Sequence, residues 1–256
     1  MAKRTTRVKA PVSAPQRGGP SRTLLLALAG GGAAVIAAVL IVISVTGGGD
    51  KGAEPPLVTT GESQALLGDP GLFDGIPQDG LVLGSPAAAV TMVEYADVQC
   101  PYCGEFAGRA LPALLDEYVR PGKVKIEFRG LRFLGPDSEK ALRLVLSAAR
   151  QDKAWTVLEL LFANQGEENK GWVTDALVRQ IGEAVVGLDV EQMLAETDAP
   201  AIDALIAKAE TQGQNDGVRG TPTFFVVRKG VTPHQLELGS LDVSAFRPAL
   251  DAALTP

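Results

Sequence analysis

The chain has 256 residues and only two cysteines, Cys100 and Cys103, which stand where an apolar strand-like stretch, 90–98 (VTMVEYADV), gives way to residues at helical spacing. That placement constrains the chain more than any other feature. A sulfur at a helix N-terminus faces unpaired backbone N–H groups and the positive end of the helix dipole, so its thiolate is favoured. Cys100 is therefore expected to be the nucleophile. Cys103 lies one turn deeper on the same face, where it can attack a mixed disulfide formed on Cys100, and is expected to be the resolving thiol. Two cysteines cannot build a disulfide framework. Nor do they complete a zinc site, which needs four ligands, because the only histidine is His234 and there is no second cysteine pair. No metal is expected.

The N-terminus is of another kind. Residues 1–22 carry six basic residues and no acid, and residues 24–45 (LLLALAGGGAAVIAAVLIVISV) carry no charge and 18 apolar residues of 22. As a helix this run spans about 33 Å, enough to cross a bilayer core of about 30 Å. It is longer than the usual apolar stretch of a secretory signal. The expected organisation is a cytoplasmic basic tail at 1–22, a transmembrane helix at 23–46, a linker at 47–71 rich in Gly, Pro and Thr, and a globular domain at 72–256. The basic flank keeps the N-terminus in the cytoplasm and places the domain outside.

Within that domain the apolar periods change twice. A strand is expected over 90–98, then a helix carrying the cysteines with a kink at Pro112, a turn at 120–123, and a second strand marked by Val124, Ile126 and Phe128. Residues 137–213 read as helical, with Ser138, Thr174, Asp189 and Asp198 as N-caps and Gly213 at a helix end. The strand pattern resumes at Thr223–Arg228 and at Leu236 and Leu238, and a helix closes the chain from Val243. This is an α/β domain interrupted by a helical insertion. Asp97 is expected to serve as a cap or turn before the cysteine helix, His234 to lie in a solvated loop, and Trp155 and Trp172 to fill the insertion core. Glu167 and Glu168 read as a solvated loop. There is no GxGxxG or Walker sequence, and no cofactor is expected.

A second signature, Val218-Arg219-Gly220-Thr221-Pro222-Thr223, leads straight into a strand. On general grounds Pro222 would be trans, as most X-Pro bonds are. Together, however, the stretches Glu94–Cys103 (EYADVQCPYC) and Gly220–Phe224 (GTPTF) resemble the DsbA family of membrane-anchored or exported bacterial proteins, with a softer likeness over Trp155–Gln165 (WTVLELLFANQ). The resemblance implies a thioredoxin-like fold with an inserted helical domain, preceded here by the single transmembrane helix. The core is then expected at about 81–135 and 218–256 and the insertion at about 136–217. It implies a cis Pro222, with Thr221 offering its backbone to an extended substrate, beside Pro101 and Tyr102. It also implies that Glu94 is a buried acid beneath the cysteines, with a raised pKa, able to shuttle the proton of Cys103. Tyr102 stands where the best-known member has histidine, so Cys100 is expected to be less acidic than in the strongest oxidants.

The net charge of −6 divides into +6 in the first 46 residues and −12 in the rest. An acidic domain of this kind is not expected to bind nucleic acid. The expected function is an extracytoplasmic thiol-disulfide oxidoreductase, acting as an oxidase. It would exchange disulfides with exported cysteine-containing proteins and be recycled by a membrane redox partner, as a monomer held by one helix. The alternatives are a disulfide reductase or isomerase of the same fold, or a binding and assembly module that does not turn over.

Overall fold

The computed structural model describes residues 65–255. The expected basic tail, the transmembrane helix and residues 47–64 of the linker lie outside the described residues. Among those described, no helix is long and apolar enough to cross a membrane.

A six-stranded sheet organises the domain. Its strands are β1 (Gln78–Asp79), β2 (Val82–Leu83), β3 (Val90–Asp97), β4 (Val124–Leu131), β5 (Thr223–Arg228) and β6 (His234–Gln235), in the order β1-β2-β4-β3-β5-β6. Central β3 runs parallel to β4 and antiparallel to β5. Seven of its eight residues are buried, as befits a continuous apolar run covered on both faces. Strand β4 alternates, with Val124, Ile126 and Phe128 inward and Lys125, Glu127 and Arg129 partly exposed.

Helix α1 (Pro101–Arg109) follows β3 directly. The helix is interrupted at Ala110, one residue before α2 (Leu111–Leu114), which holds Pro112 and continues as a π-helical turn over Leu115–Val119. The interruption falls two residues ahead of Pro112, which cannot donate into the preceding turn, while Ala110 keeps helical dihedrals and its amide still bonds to the Phe106 carbonyl. Between β4 and β5 come α3 (Pro136–Ala149), α4 (Ala154–Ala163), α5 (Asp175–Ala184), α6 (Val190–Glu196) and α7 (Pro200–Asn215), and α8 (Val243–Leu254) ends the described chain.

Thr174 and Asp189 cap α5 and α6, accepting from the amides of Leu177 and Gln192. Ser138 and Asp198 do not cap. Pro136 and Pro200 start α3 and α7 with Gly135 and Ala199 at the caps, because proline's fixed φ and missing N–H suit the first helical position. Gly213 likewise does not end its helix. It lies inside α7, facing Tyr95 and Leu131, and the chain turns at Gly217, whose φ of +72° suits glycine. The expected strand at Leu236 and Leu238 is reduced to the pairing of His234 and Gln235 with β5. Only the Leu236 amide still reaches the sheet, at the Phe224 carbonyl, before the chain leaves to pack Leu238 on the core. His234 is therefore an exposed strand residue.

One sheet face packs Met92, Ala96, Ile126, Phe128, Phe224 and Val226 against α1, α4 and α8. Phe106, Phe224 and Phe246 form an aromatic triangle there, with centroids 4.6, 5.3 and 5.0 Å apart, joining α1, β5 and α8. Trp155 of α4 donates to the Leu81 carbonyl at 3.2 Å and packs edge-on against Phe73 and Phe128. On the other face Val93, Tyr95, Leu131 and Phe225 form a small cluster. Residues 65–71, the end of the stretch read as a linker, are mostly exposed but are tied to the domain at two points. Leu66 touches the core, and the Leu67 backbone exchanges two hydrogen bonds with the Asn164 side chain, at 2.9 and 2.8 Å.

Truncating Phe246, which is fully buried in the triangle, is expected to cost about 3–5 kcal/mol. Urea unfolding of Phe246→Ala checks this: the midpoint should fall with the slope unchanged.

Candidate active site

Strand β3 delivers the tripeptide Val98-Gln99-Cys100 to the end of the sheet. Asp97 closes the turn: its backbone carbonyl accepts from the Cys100 amide at 2.9 Å and its carboxylate from the Gln99 amide at 2.9 Å. The same fully buried carboxylate accepts from the Ser138 hydroxyl at 2.6 Å and the Leu134 amide at 3.0 Å, so four donors meet one residue. Such donors satisfy a carboxylate that burial would otherwise penalise.

Cys100 occupies the N-cap of α1 with extended backbone, and Pro101 takes the first helical position. Its thiol lies 3.2 Å from the carbonyl oxygen of Thr221. The Thr221–Pro222 peptide bond is cis, and the loop that holds it precedes β5, the antiparallel neighbour of β3. The signature of residues 218–223 therefore stands against the cysteines although 121 residues separate Thr221 from Cys100. Cys103 is fully buried and its amide bonds to the Cys100 carbonyl at 3.1 Å. Both cysteines are free thiols. Tyr102 between them is 62% exposed.

The two sulfurs are driven apart in acidity. The Cys103 thiol beside it, outweighing the cost of burial, brings Cys100 down to about 6, with help from the Thr221 side chain and the amides of Cys103 and Tyr102. Burial pushes Cys103 well above the ordinary thiol value, and the charges of Cys100 and Glu94 push the same way. One sulfur is thereby a thiolate near neutral pH and the other holds its proton.

Glu94 lies within β3, six residues before Cys100, paired in register with Phe128 on one side and Phe224 on the other. It is 1% exposed, and its Oε1 has no hydrogen-bond partner. Burial first, then the negative charge of Cys100, pushes it up to about 8, so the carboxyl is mostly neutral at pH 7. It lines a cavity of about 10 Å³ with Phe106, Leu111, Trp155, Leu158 and Glu159, the lower limit for one water molecule. Glu159 is itself pushed up to about 7 by burial and by Asp69. Two acids lining one cavity, Glu94 and Glu159, and the Cys103 thiol can therefore each hold a proton near neutral pH.

The structure brings Cys100, Cys103, Thr221, Pro222, Pro101 and Tyr102 to one end of the sheet, with Glu94 buried within β3 and its charge felt at Cys103. Sequence reasoning missed the polar frame around them. The Gln99 amide uses all its capacity, donating to Ser138 and Asn169 at 3.0 Å each and accepting from the Asn169 amide and Trp172 at 2.8 and 3.2 Å. The Gln165 side chain donates to the carbonyls of Val98 and Cys100 at 2.6 and 3.0 Å. The one available signal was Gln99 itself, an uncharged amide wedged between an apolar strand and a cysteine. Among the described residues no group of three or more His, Cys, Asp or Glu could hold a metal ion.

Residues 77–240 match the family model described as Thioredoxin. The "Probable disulfide bond formation protein D" of Bacillus cereus is 31% identical over 175 residues, covering 67% of this chain and 77% of that protein. The oxidised form of BdbD from Bacillus subtilis superposes with a TM-score of 0.60 at 24% identity, over 70% of this chain and 97% of that one. A thioredoxin-like oxidoreductase from Silicibacter pomeroyi DSS-3 does so with 0.54 at 29%, over 71% and 95%.

Two titrations follow from the site. Thiolate absorbance in the reduced protein is expected to rise with a midpoint near pH 6, and this step should vanish in Cys100→Ser. Glu94 binds its proton more tightly folded than unfolded, so its contribution to stability is intact below about pH 4.5 and is lost as pH rises through about 8. Glu94→Gln removes that loss. It should be near neutral at pH 4 and stabilising by about 3–5 kcal/mol at pH 9 in denaturant unfolding.

Proposed function

The chain belongs to the DsbA family of thioredoxin-fold proteins and is a protein thiol-disulfide oxidoreductase, and from that premise we propose that it works outside the cytoplasm as an oxidase of exported proteins, with Cys-Pro-Tyr-Cys as its redox centre. The observation that carries this reading is the split between the two sulfurs, Cys100 lowered to about 6 and Cys103 raised. A stabilised thiolate favours the reduced enzyme, and so makes its disulfide a good oxidant.

In the forward reaction a client thiolate attacks Cys100 of the Cys100–Cys103 disulfide. A sulfur–sulfur bond forms to the client, the intramolecular one breaks, and Cys103 leaves as a thiolate. Glu94, neutral at pH 7, is the proton donor to that sulfur. A second client thiolate then attacks the client sulfur of the mixed disulfide and expels Cys100, whose low pKa makes it a good leaving group. The client has lost two electrons and two protons, and the enzyme has gained two electrons. A membrane redox partner takes them back.

Thr221, held at the cis Thr221–Pro222 bond, offers main-chain pairing to an extended client segment, which would recognise backbone more than sequence. Exposed Pro101 and Tyr102 form the rim that the client crosses. Tyr102 brings a ring and a hydroxyl where a histidine would bring charge. Cys100, at about 6, falls between about 3.5 for DsbA and about 7 for thioredoxin, which supports an oxidant of intermediate strength. The uncharged run 24–45 behind six basic residues supports a single anchor with the N-terminus in the cytoplasm. The enzyme then acts as a monomer near the membrane. Its core is about 81–135 and 218–256, its insertion about 136–217.

Cys103→Ser is expected to accumulate mixed disulfides with exported proteins, and Cys100→Ser to accumulate none. Non-reducing gels of cells expressing each variant make the comparison, and absence of adducts in Cys103→Ser sinks the assignment. Equilibration with glutathione decides direction: a potential above about −250 mV is expected, and one well below it indicates a reductase.

A further inference from the structure

The loop that carries Cys100 is held by a residue 65 positions away. Gln165 follows α4 in the helical insertion, and its Nε2 donates to Val98 at 2.6 Å and to Cys100 at 3.0 Å. Both partners are carbonyl oxygens, so the amide can face them only with its NH₂ group. Its oxygen points instead toward Gly104 in the first turn of α1, where an added Cβ would come within 2.7 Å of Oε1. The amide thus spans the tripeptide that hangs the nucleophile, positive end toward Cys100, in a slot kept open by a missing side chain.

We infer that Gln165 is a positioning residue, through which the helical insertion fixes the Cys100 loop and sets the electrostatic environment of its sulfur. This rests on the reading of Cys100 as the attacking thiolate. The Cys100 carbonyl already accepts from the amides of Cys103 and Gly104, at 3.1 and 3.2 Å. Donation from Gln165 adds a third partial positive charge there and ties the N-cap to the end of β3. Gln165 touches neither sulfur, so it acts through backbone geometry and through the field at Cys100. Asn164, the preceding residue, does different work, since its side chain clasps Leu67 and the Leu160 carbonyl.

The test compares three variants of the full chain by thiolate absorbance against pH. Gln165→Met keeps the length and removes the donor. Gly104→Ala keeps the donor and displaces it. Asn164→Ala loosens the same segment without touching the Cys100 loop. The titratable groups facing Cys100 are Cys103 on α1 and Glu94 on β3, and all three variants leave both in place.

The Cys100 midpoint is expected to rise by about half a unit in Gln165→Met and in Gly104→Ala, with the glutathione equilibrium moved toward the enzyme disulfide. It should stay put in Asn164→Ala. An unshifted midpoint in the first two, or an equal shift in Asn164→Ala, overturns the inference, and Gly104→Ala decides alone if Gln165→Met does not fold. If the unmodified protein shows no thiolate step that Cys100→Ser abolishes, the reading of Cys100 falls and the inference with it. A clear wild-type step with unshifted variants removes only the role of Gln165.

Discussion

Strand β3 is hydrogen-bonded along both edges and buried on both faces, and the chemistry hangs from its end. Parallel pairing with β4 and antiparallel pairing with β5 leave no freedom of register, because a one-residue slip would turn Met92, Glu94 and Ala96 to the opposite face. The register decides that Glu94 sits between Phe128 and Phe224, and that β5 brings Thr221 to the Cys100 sulfur. A carboxyl among phenylalanines and a carbonyl beside a thiol are thus consequences of one strand alignment.

The site works by making neighbours unlike. Cys100 and Cys103 are three residues apart, yet one sulfur stands at a helix N-terminus and the other is fully enclosed. Burial penalises charge on Cys103 and Glu94, while the partners of Cys100 favour it. The unpaired Glu94 oxygen is a stability cost that an ordinary core would not carry. In the mechanism proposed above, that cost keeps a proton near a sulfur that loses and regains one.

The helical insertion does more than cover the sheet. Gln165, Ser138, Asn169 and Trp172 all come from it, and all reach the segment Asp97–Cys100 directly or through the Gln99 amide. The loop from Asp97 to Cys100, left to itself, would expose several backbone carbonyls and amides. Here they are paired with side chains of a layer that lies between the two halves of the core sequence.

The sequence by itself determined the features that depend on neighbours in the chain. These were the strand-to-helix junction at the cysteines, the alternation in β4, the caps Thr174 and Asp189, and which sulfur sits at the helix start. Where local pattern misleads, the reason is local too: Ser138 and Asp198 resemble caps, but Pro136 and Pro200 start their helices two residues to either side because proline suits the first helical position. Glu94, Thr221 and Pro222 were named only through likeness to a family, since no local pattern marks a buried acid or a cis bond. Tertiary structure alone decided that Glu94 lacks a partner, that Thr221 faces Cys100, and that Gln165 holds the loop. The physical reason is distance along the chain: these contacts join residues 65 to 121 positions apart, and only the packing of sheet and helices brings such groups within a hydrogen bond.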